Sequence, residues 1–164
     1  KAECFVVCIG GYMDKFDILY KEDYTKKDSA VVRRQLQSGK QKIFSYEIFE
    51  KLDLSKGDYR DLEFQYSSFD NSNLSNSDMT KCRFIICNFK SAILKDVRMD
   101  KAKIFGTDFS GALLQNVDFS GAKLKSIIFK NAKLINVDFS KALLAEDMNF
   151  ENAKCENCIF PESR

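Results

Sequence analysis

The sequence predicts a solenoid, a chain of short units that share one core by stacking, and three observations predict it. From Leu52 onward an apolar or aromatic residue returns every five positions, through Leu54, Tyr59, Phe64, Phe69 and Leu74 to Phe129, Leu134, Phe139 and Leu144. Two positions before most of these stands a small or β-branched residue, as in Ala92, Val97, Ala102, Thr107, Ala112 and Val117. The period is neither the one of about 2.0 that marks a strand nor the one of about 3.6 that marks a helix. A unit that cannot bury its apolar side alone must stack on its neighbours, so the repeat overrides any local reading.

Composition narrows the rest. At 164 residues the chain is one ordinary domain with a small appendage at most. Hydrophobic residues at 45%, charged residues at 30% and a single proline place it among folding sequences, outside the disordered and collagenous classes. Lysine and arginine number 26 against 24 aspartates and glutamates, so bulk charge names no partner, and nucleic acid is not expected. The absence of histidine removes Ser-His-Asp and Cys-His nucleophiles, HExxH zinc sites and imidazole proton shuttles. No apolar run is long enough to span a membrane, and Cys4 to Ile9 is too short for an intact signal peptide. A soluble, cytoplasmic protein is expected.

Along the chain, residues 1–51 lack the repeat and read as a cap, mostly helical. Cys4 to Ile9 followed by Gly10-Gly11 suggests a strand and turn, without the Lys-Ser/Thr of a phosphate loop. A helix is expected from an N-cap at Asp28 or Ser29 to Gly39. Phe44, Ile48, Phe49 and Leu52 sit at helical spacing and predict a second helix lying over the open first coil. Residues 52–164 form the repeat domain. Its spacing slips once, by one residue between Leu144 and Met148, and resumes at Phe150, Cys155 and Phe160, which reads as a bulge at a corner.

Pentads such as Ala132-Lys133-Leu134-Ile135-Asn136 and Val137-Asp138-Phe139-Ser140-Lys141 resemble the pentapeptide-repeat family, whose consensus runs Ala-Asp/Asn-Leu-x-x. The resemblance covers Leu52 to Phe160. It implies an all-β fold, a right-handed quadrilateral β-helix with four pentads per coil and two apolar positions of each pointing in. Four faces require a second period of twenty, and sorting by face supplies it. Phe64, Phe84, Ile104, Leu124 and Leu144 fall on the first face, and Phe69, Phe89, Phe109, Phe129 and Phe150 on the second. Leu54, Leu74, Leu94, Leu114, Leu134 and Cys155 fall on the third, and Tyr59, Met79, Met99, Phe119, Phe139 and Phe160 on the fourth. Asn76, Asp96, Asn116, Asn136 and Asn157 line up at one corner, where side chains tolerant of left-handed backbone are wanted. About five and a half coils make a rod ~26 Å long.

No catalytic constellation emerges, and neither a cofactor nor a metal is expected. Cys82, Cys87, Cys155 and Cys158 occupy inward positions and read as buried small hydrophobes; a zinc or redox site at Cys155-x-x-Cys158 lacks further ligands. The informative outward residues lie on the first face and its entering corner. Lys81, Arg83, Lys101, Lys103, Lys123, Lys125 and Lys141 alternate there with Tyr66, Ile85, Ile86 and Phe105, while the face before carries Asp78, Asp100, Asp118 and Asp138. Solvated alternating charge would keep a regular rod soluble. The functional reading is a docking surface for an acidic protein partner.

The function expected is therefore a non-enzymatic scaffold or adaptor acting through the outer faces. The family resemblance implies one alternative, since its best-understood members imitate B-form DNA and protect DNA gyrase from quinolones. Against that, residues 52–164 carry 16 basic and 16 acidic side chains, whereas a duplex mimic needs a sustained acidic surface. A start without Met and an end soon after Phe160 favour a module of a larger bacterial effector, which would place it in a host cytosol. The last coil, with Phe150, Cys155 and Phe160, is a candidate end for a homodimer.

Overall fold

A computed structural model of the chain describes residues 28–145 and 147–161. Among them, β1 (Ile43–Ser45), β2 (Glu63–Gln65), β3 (Arg83–Ile85), β5 (Lys103–Phe105), β7 (Lys123–Lys125) and β9 (Leu143–Ala145) form one parallel sheet. A second contains β4 (Ile93–Lys95), β6 (Leu113–Gln115), β8 (Lys133–Ile135) and β10 (Lys154–Glu156). The register steps by twenty residues: Phe64 lies opposite Phe84, Phe84 opposite Ile104, and Ile104 opposite Leu124. Isolated bridges repeat the step on the two intervening sides, from Ile48 through Ser68, Asn88 and Asp108 to Ile128, and from Asp58 through Asp78, Arg98 and Asp118 to Asp138. These four ladders are the four faces.

Each side of a coil is five residues long, so the backbone must turn at every fifth residue, and the corner residues take left-handed φ. The Asn and Asp corner has φ between 51° and 59°. Its amides also form a ladder: Asn116 donates to Asp96 Oδ1 at 2.7 Å, Asn136 to Asn116 Oδ1 at 2.9 Å, and Asn157 to Asn136 Oδ1 at 3.2 Å. Aspartate before the central apolar residue has a local role. The carboxylates of Asp78, Asp118 and Asp138 accept the backbone N–H two residues on, at 3.0, 2.7 and 2.8 Å, which satisfies a donor that the turn would strand.

Inside, the second-face phenylalanines stack coil upon coil. Ring centroids are 4.6 Å apart for Phe69 and Phe89, 4.9 Å for Phe89 and Phe109, and 5.3 Å for Phe109 and Phe129. The slip after Leu144 is absorbed as expected, since Ile128 pairs with Asn149 and Phe150 stacks on Phe129 at 5.1 Å. Cys82 and Cys87 are buried. Cys155 faces inward opposite Leu134 yet is exposed, and Cys158 is half-buried. The expected burial fails for this second pair because among the described residues no coil lies beyond theirs.

The start of the rod corrects one expectation. Phe44, Ile48, Phe49 and Leu52 form no helix: β1 pairs with β2, and Phe44 and Phe49 are the central core residues of two faces of a first coil. Their helical spacing was coincident with the five-residue period, which runs back through Phe49 to Phe44. Polar Glu47, at the companion position of Phe49, hides it. Six coils result. The helix expected from Asp28 does form, as α1 (Ser29–Gln37), with the Asp28 carboxylate accepting Ala30 N–H at 2.7 Å. Its Val32 and Leu36 are buried in the rod's core. Ser29 Oγ accepts the N–H of Asp53 at 3.0 Å and Arg33 donates to Ser55 O at 3.4 Å, so the helix closes part of the first coil's edge. The strand and turn expected at Cys4 to Gly11 lie outside the described residues.

Candidate interaction surface

Register brings the outward residues of the first face into lanes along the rod. Arg83, Lys103 and Lys123 stand directly one above another, as do Ile85, Phe105 and Lys125. Lys81, Lys101 and Lys141 occupy the entering corner and Tyr66 and Ile86 the leaving one; Lys81, Lys101, Tyr66 and Ile86 all have left-handed backbone. The cationic ends of this strip are exposed, whereas Tyr66, Ile85, Ile86 and Phe105 are half-buried and form an apolar floor beside them.

This strip stacks cations in direct register. Several cations elsewhere find an acid within a coil or two residues away, although Lys95 and Lys154 pair with no described residue: Arg98 reaches Asp78 and Asp100, both at 3.3 Å, Lys90 reaches Asp108 at 3.4 Å, and Lys130 reaches Glu151 at 3.0 Å. On the first face Arg83 meets Glu63 at 3.5 Å. Lys81, Lys101, Lys103 and Lys123 make no ion pair with any described residue. Lysines in direct register one strand spacing apart, ~4.8 Å, repel rather than support each other.

Ile86 adds a second irregularity. Its φ of 53° is a conformation that β-branched residues rarely adopt and that costs on the order of 1–3 kcal/mol. Gly106 follows it at the same corner, where an added β-carbon would lie 3.3 Å from Ile86 Cγ1.

The acidic face is present as expected, with Asp78, Asp118 and Asp138 in one ladder, but Arg98 interrupts it and Arg60 caps it through Asp58 at 2.6 Å. Hydrogen bonds from Ser140 hold the Asp138 carboxyl below the usual carboxylate range. On the second face, burial first and the neighbouring Glu50 and Asp108 carboxylates next push that of Asp70 up. Among the described residues no group of three or more His, Cys, Asp or Glu side chains is placed to hold a metal ion, and no helix is long and apolar enough to cross a membrane. At the far end Phe150 and Phe160 meet edge to face at 5.8 Å, and Phe160 is 43% exposed beside edge strand β10.

Tyr46 belongs to the surface and escaped the sequence reading. Its exposed ring stacks on Tyr66 at 5.0 Å, 10° from parallel, extending the leaving corner by one coil. The signal that marks it is the twenty-residue step from Tyr66, masked by the helical spacing of the segment around it. Ile43 and Leu143, 53% and 59% exposed, end the lane of Arg83, Lys103 and Lys123 in the same way.

A family model described as pentapeptide repeats matches residues 60–96 and 112–146, in eight copies. No curated protein matches the sequence. Similar solved structures include a pentapeptide repeat protein from the thylakoid lumen of Arabidopsis thaliana, at 18% identity over 66% of this chain and 73% of that one, with a TM-score of 0.47. HetL of the cyanobacterium Nostoc, involved in heterocyst differentiation regulation, matches at 11% identity over 82% and 97%, with a TM-score of 0.34. QnrB1, a plasmid-mediated fluoroquinolone resistance protein, matches at 15% identity over 71% and 70%, with a TM-score of 0.39. Likeness at this level says nothing about partners.

Proposed function

Since the chain is a pentapeptide-repeat protein, we propose that it is a non-enzymatic protein-protein interaction scaffold whose working surface is the basic and apolar strip of the first face. One observation carries this reading: Arg83, Lys103 and Lys123 stand in direct register beside an apolar floor, and Lys103 and Lys123, with Lys81 and Lys101 at the corner, make no ion pair with any described residue. Unpaired like charge beside an apolar floor is unfavourable in the free rod and favourable once an acidic surface covers it. Affinity capture followed by mass spectrometry tests the reading. Lys101→Glu, Lys103→Glu and Lys123→Glu together leave the fold intact and remove the principal partner, whereas an unchanged set of captured proteins refutes it.

Imitation of duplex DNA draws less support, because the Asp ladder of the fourth face is broken by Arg98 and flanked by lysines. A gyrase supercoiling assay separates that alternative from the scaffold. We also propose that Phe150, Cys155 and Phe160 form a contact between two copies, supported by the exposure of Cys155 and Phe160 on the last described coil. Light scattering shows a dimer that Phe160→Asp disrupts; a monomeric parent excludes it.

A further inference from the structure

The strip constrains the shape of what it binds as well as its charge. We infer that the docking element is an acidic amphipathic α-helix lying parallel to the rod axis, its carboxylates over Arg83, Lys103 and Lys123 and its apolar stripe over Ile85, Phe105 and Ile86. The inference rests on the scaffold reading and deepens it.

Spacing comes first. The lane climbs one residue per coil, ~4.8 Å, so Arg83 to Lys123 spans ~9.6 Å. A helix returns a side chain to one stripe every ~5.4 Å, so two turns cover ~10.8 Å, about 1 Å from register and within the reach of a lysine stem. An extended peptide returns to one side every ~6.8 Å and after two repeats is ~4 Å out, almost a full coil. Across the strip, the cationic and apolar lanes are the two outward positions of one strand, ~6.8 Å apart. Neighbouring stripes on a helix ~10 Å wide are about 8 Å apart, which matches.

Backbone hydrogen bonding points the same way. The strands of the first face are already paired on both sides within the rod, from β2 through β7. An extended peptide laid on this face would find no ladder to join, and its own N–H and C=O groups would lose water without a partner. A helix satisfies its backbone internally and asks only for side-chain contacts, which are all that the face offers. The aromatic corner offers a base less than two open rings would, because Tyr46 and Tyr66 stack face to face and one face of each is already covered.

Fluorescence anisotropy with the full chain at physiological salt tests this, using lactam-stapled peptides of about eighteen residues, ~27 Å of helix. One carries a glutamate stripe beside a leucine and phenylalanine stripe. A second has the same composition with acidic and apolar residues scattered around the helix, and a third alternates them for an extended chain. Oligothymidine and polyglutamate serve as polyanion controls. The striped helix binds at least roughly tenfold tighter than every other probe, and Lys103→Glu with Lys123→Glu removes that preference. Equal binding by the scattered or alternating peptide, or equal or tighter binding by either polyanion, overturns the helix. If lysate capture depends on the lysines while the striped peptide has no advantage, the helix fails and the scaffold stands. If the striped peptide is preferred while capture ignores the lysines, the scaffold's use of this face fails instead.

Discussion

A β-carbon placed on Gly57 would lie 2.0 Å from Cζ of Tyr59. Gly57 stands at an inward companion position where later coils carry Val97, Val117 and Val137, and the Tyr59 ring fills the space those side chains use. The tyrosine hydroxyl reaches Leu54 O at 2.8 Å, and burial pushes its pKa up. Gly57→Ala should therefore destabilise the rod by about 1–3 kcal/mol through overpacking. Adding Tyr59→Leu, the combination of small companion and leucine used elsewhere in the rod, should restore more than half of the loss in urea denaturation. A Gly57→Ala chain as stable as the parent contradicts the packing.

Phe109, stacked between Phe89 and Phe129, should cost about 3–5 kcal/mol when cut to alanine, the usual range for a buried phenylalanine that leaves a cavity. Ser110→Ala, on the outside one residue later, should shift the midpoint by no more than about 0.5 kcal/mol. Equal midpoints would overturn the inward assignment of the Phe column.

The four thiols of the described residues should divide into two classes. Burial pushes Cys82 and Cys87 up to about 12, so at pH near ~8 they are protonated as well as inaccessible. Iodoacetamide should modify Cys155 and Cys158 in the native protein, and Cys82 and Cys87 only after denaturation. Native labelling of Cys82 and Cys87 at rates similar to Cys155 and Cys158 would contradict the core. Because the folded pKa values exceed the unfolded one of about 8.5, the stability these thiols carry is intact below that pH and is lost as pH rises toward the folded values.

Acid should act through the aspartates whose carboxyls the fold shifts. The Asp138 carboxyl is held below its ordinary value, first by the Ser140 hydroxyl and then by the Ser140 N–H. Its contribution is present above the unfolded pKa of about 3.9 and lost as pH falls through the folded value. Asp138→Asn should flatten the fall in stability below pH ~4. Asp70 has the opposite sign, since burial raises its pKa while it still accepts Lys90 N–H at 2.7 Å. Asp70→Asn should stabilise the protein at neutral pH, with a gain that shrinks on acidification. Parallel pH profiles for parent and variants would contradict both assignments.

The five-residue period made most of the fold legible, because every inward residue from Leu54 to Phe139 obeys it and the twenty-residue columns fix which residues stack. The first coil was hidden for a physical reason: Phe44, Ile48, Phe49 and Leu52 satisfy helical and pentad spacing at once, and only pairing with Phe64 and Ser68 decides between them. Outward chemistry was legible as position and not as state. Sequence placed Lys103 over Lys123, but whether an acid reaches them depends on side-chain geometry, as the contrast with Arg98 shows. The left-handed backbone of Ile86 follows only from its place in the five-residue period, midway between the corner residues Asn76 and Asp96, since most corners of the rod carry Asn, Gly, Lys or Ser and nothing local marks an isoleucine as one.

One variant tests most directly whether unpaired charge is kept for a partner. Lys103→Glu places a carboxylate between Arg83 and Lys123, turning two repulsive cross-strand neighbours into attractive ones. The account predicts that the free protein gains from a few tenths to about 1 kcal/mol in urea denaturation while binding to the captured partner falls at least roughly tenfold. A stabilised variant that binds as the parent does, or one that loses stability and binding together, would contradict it.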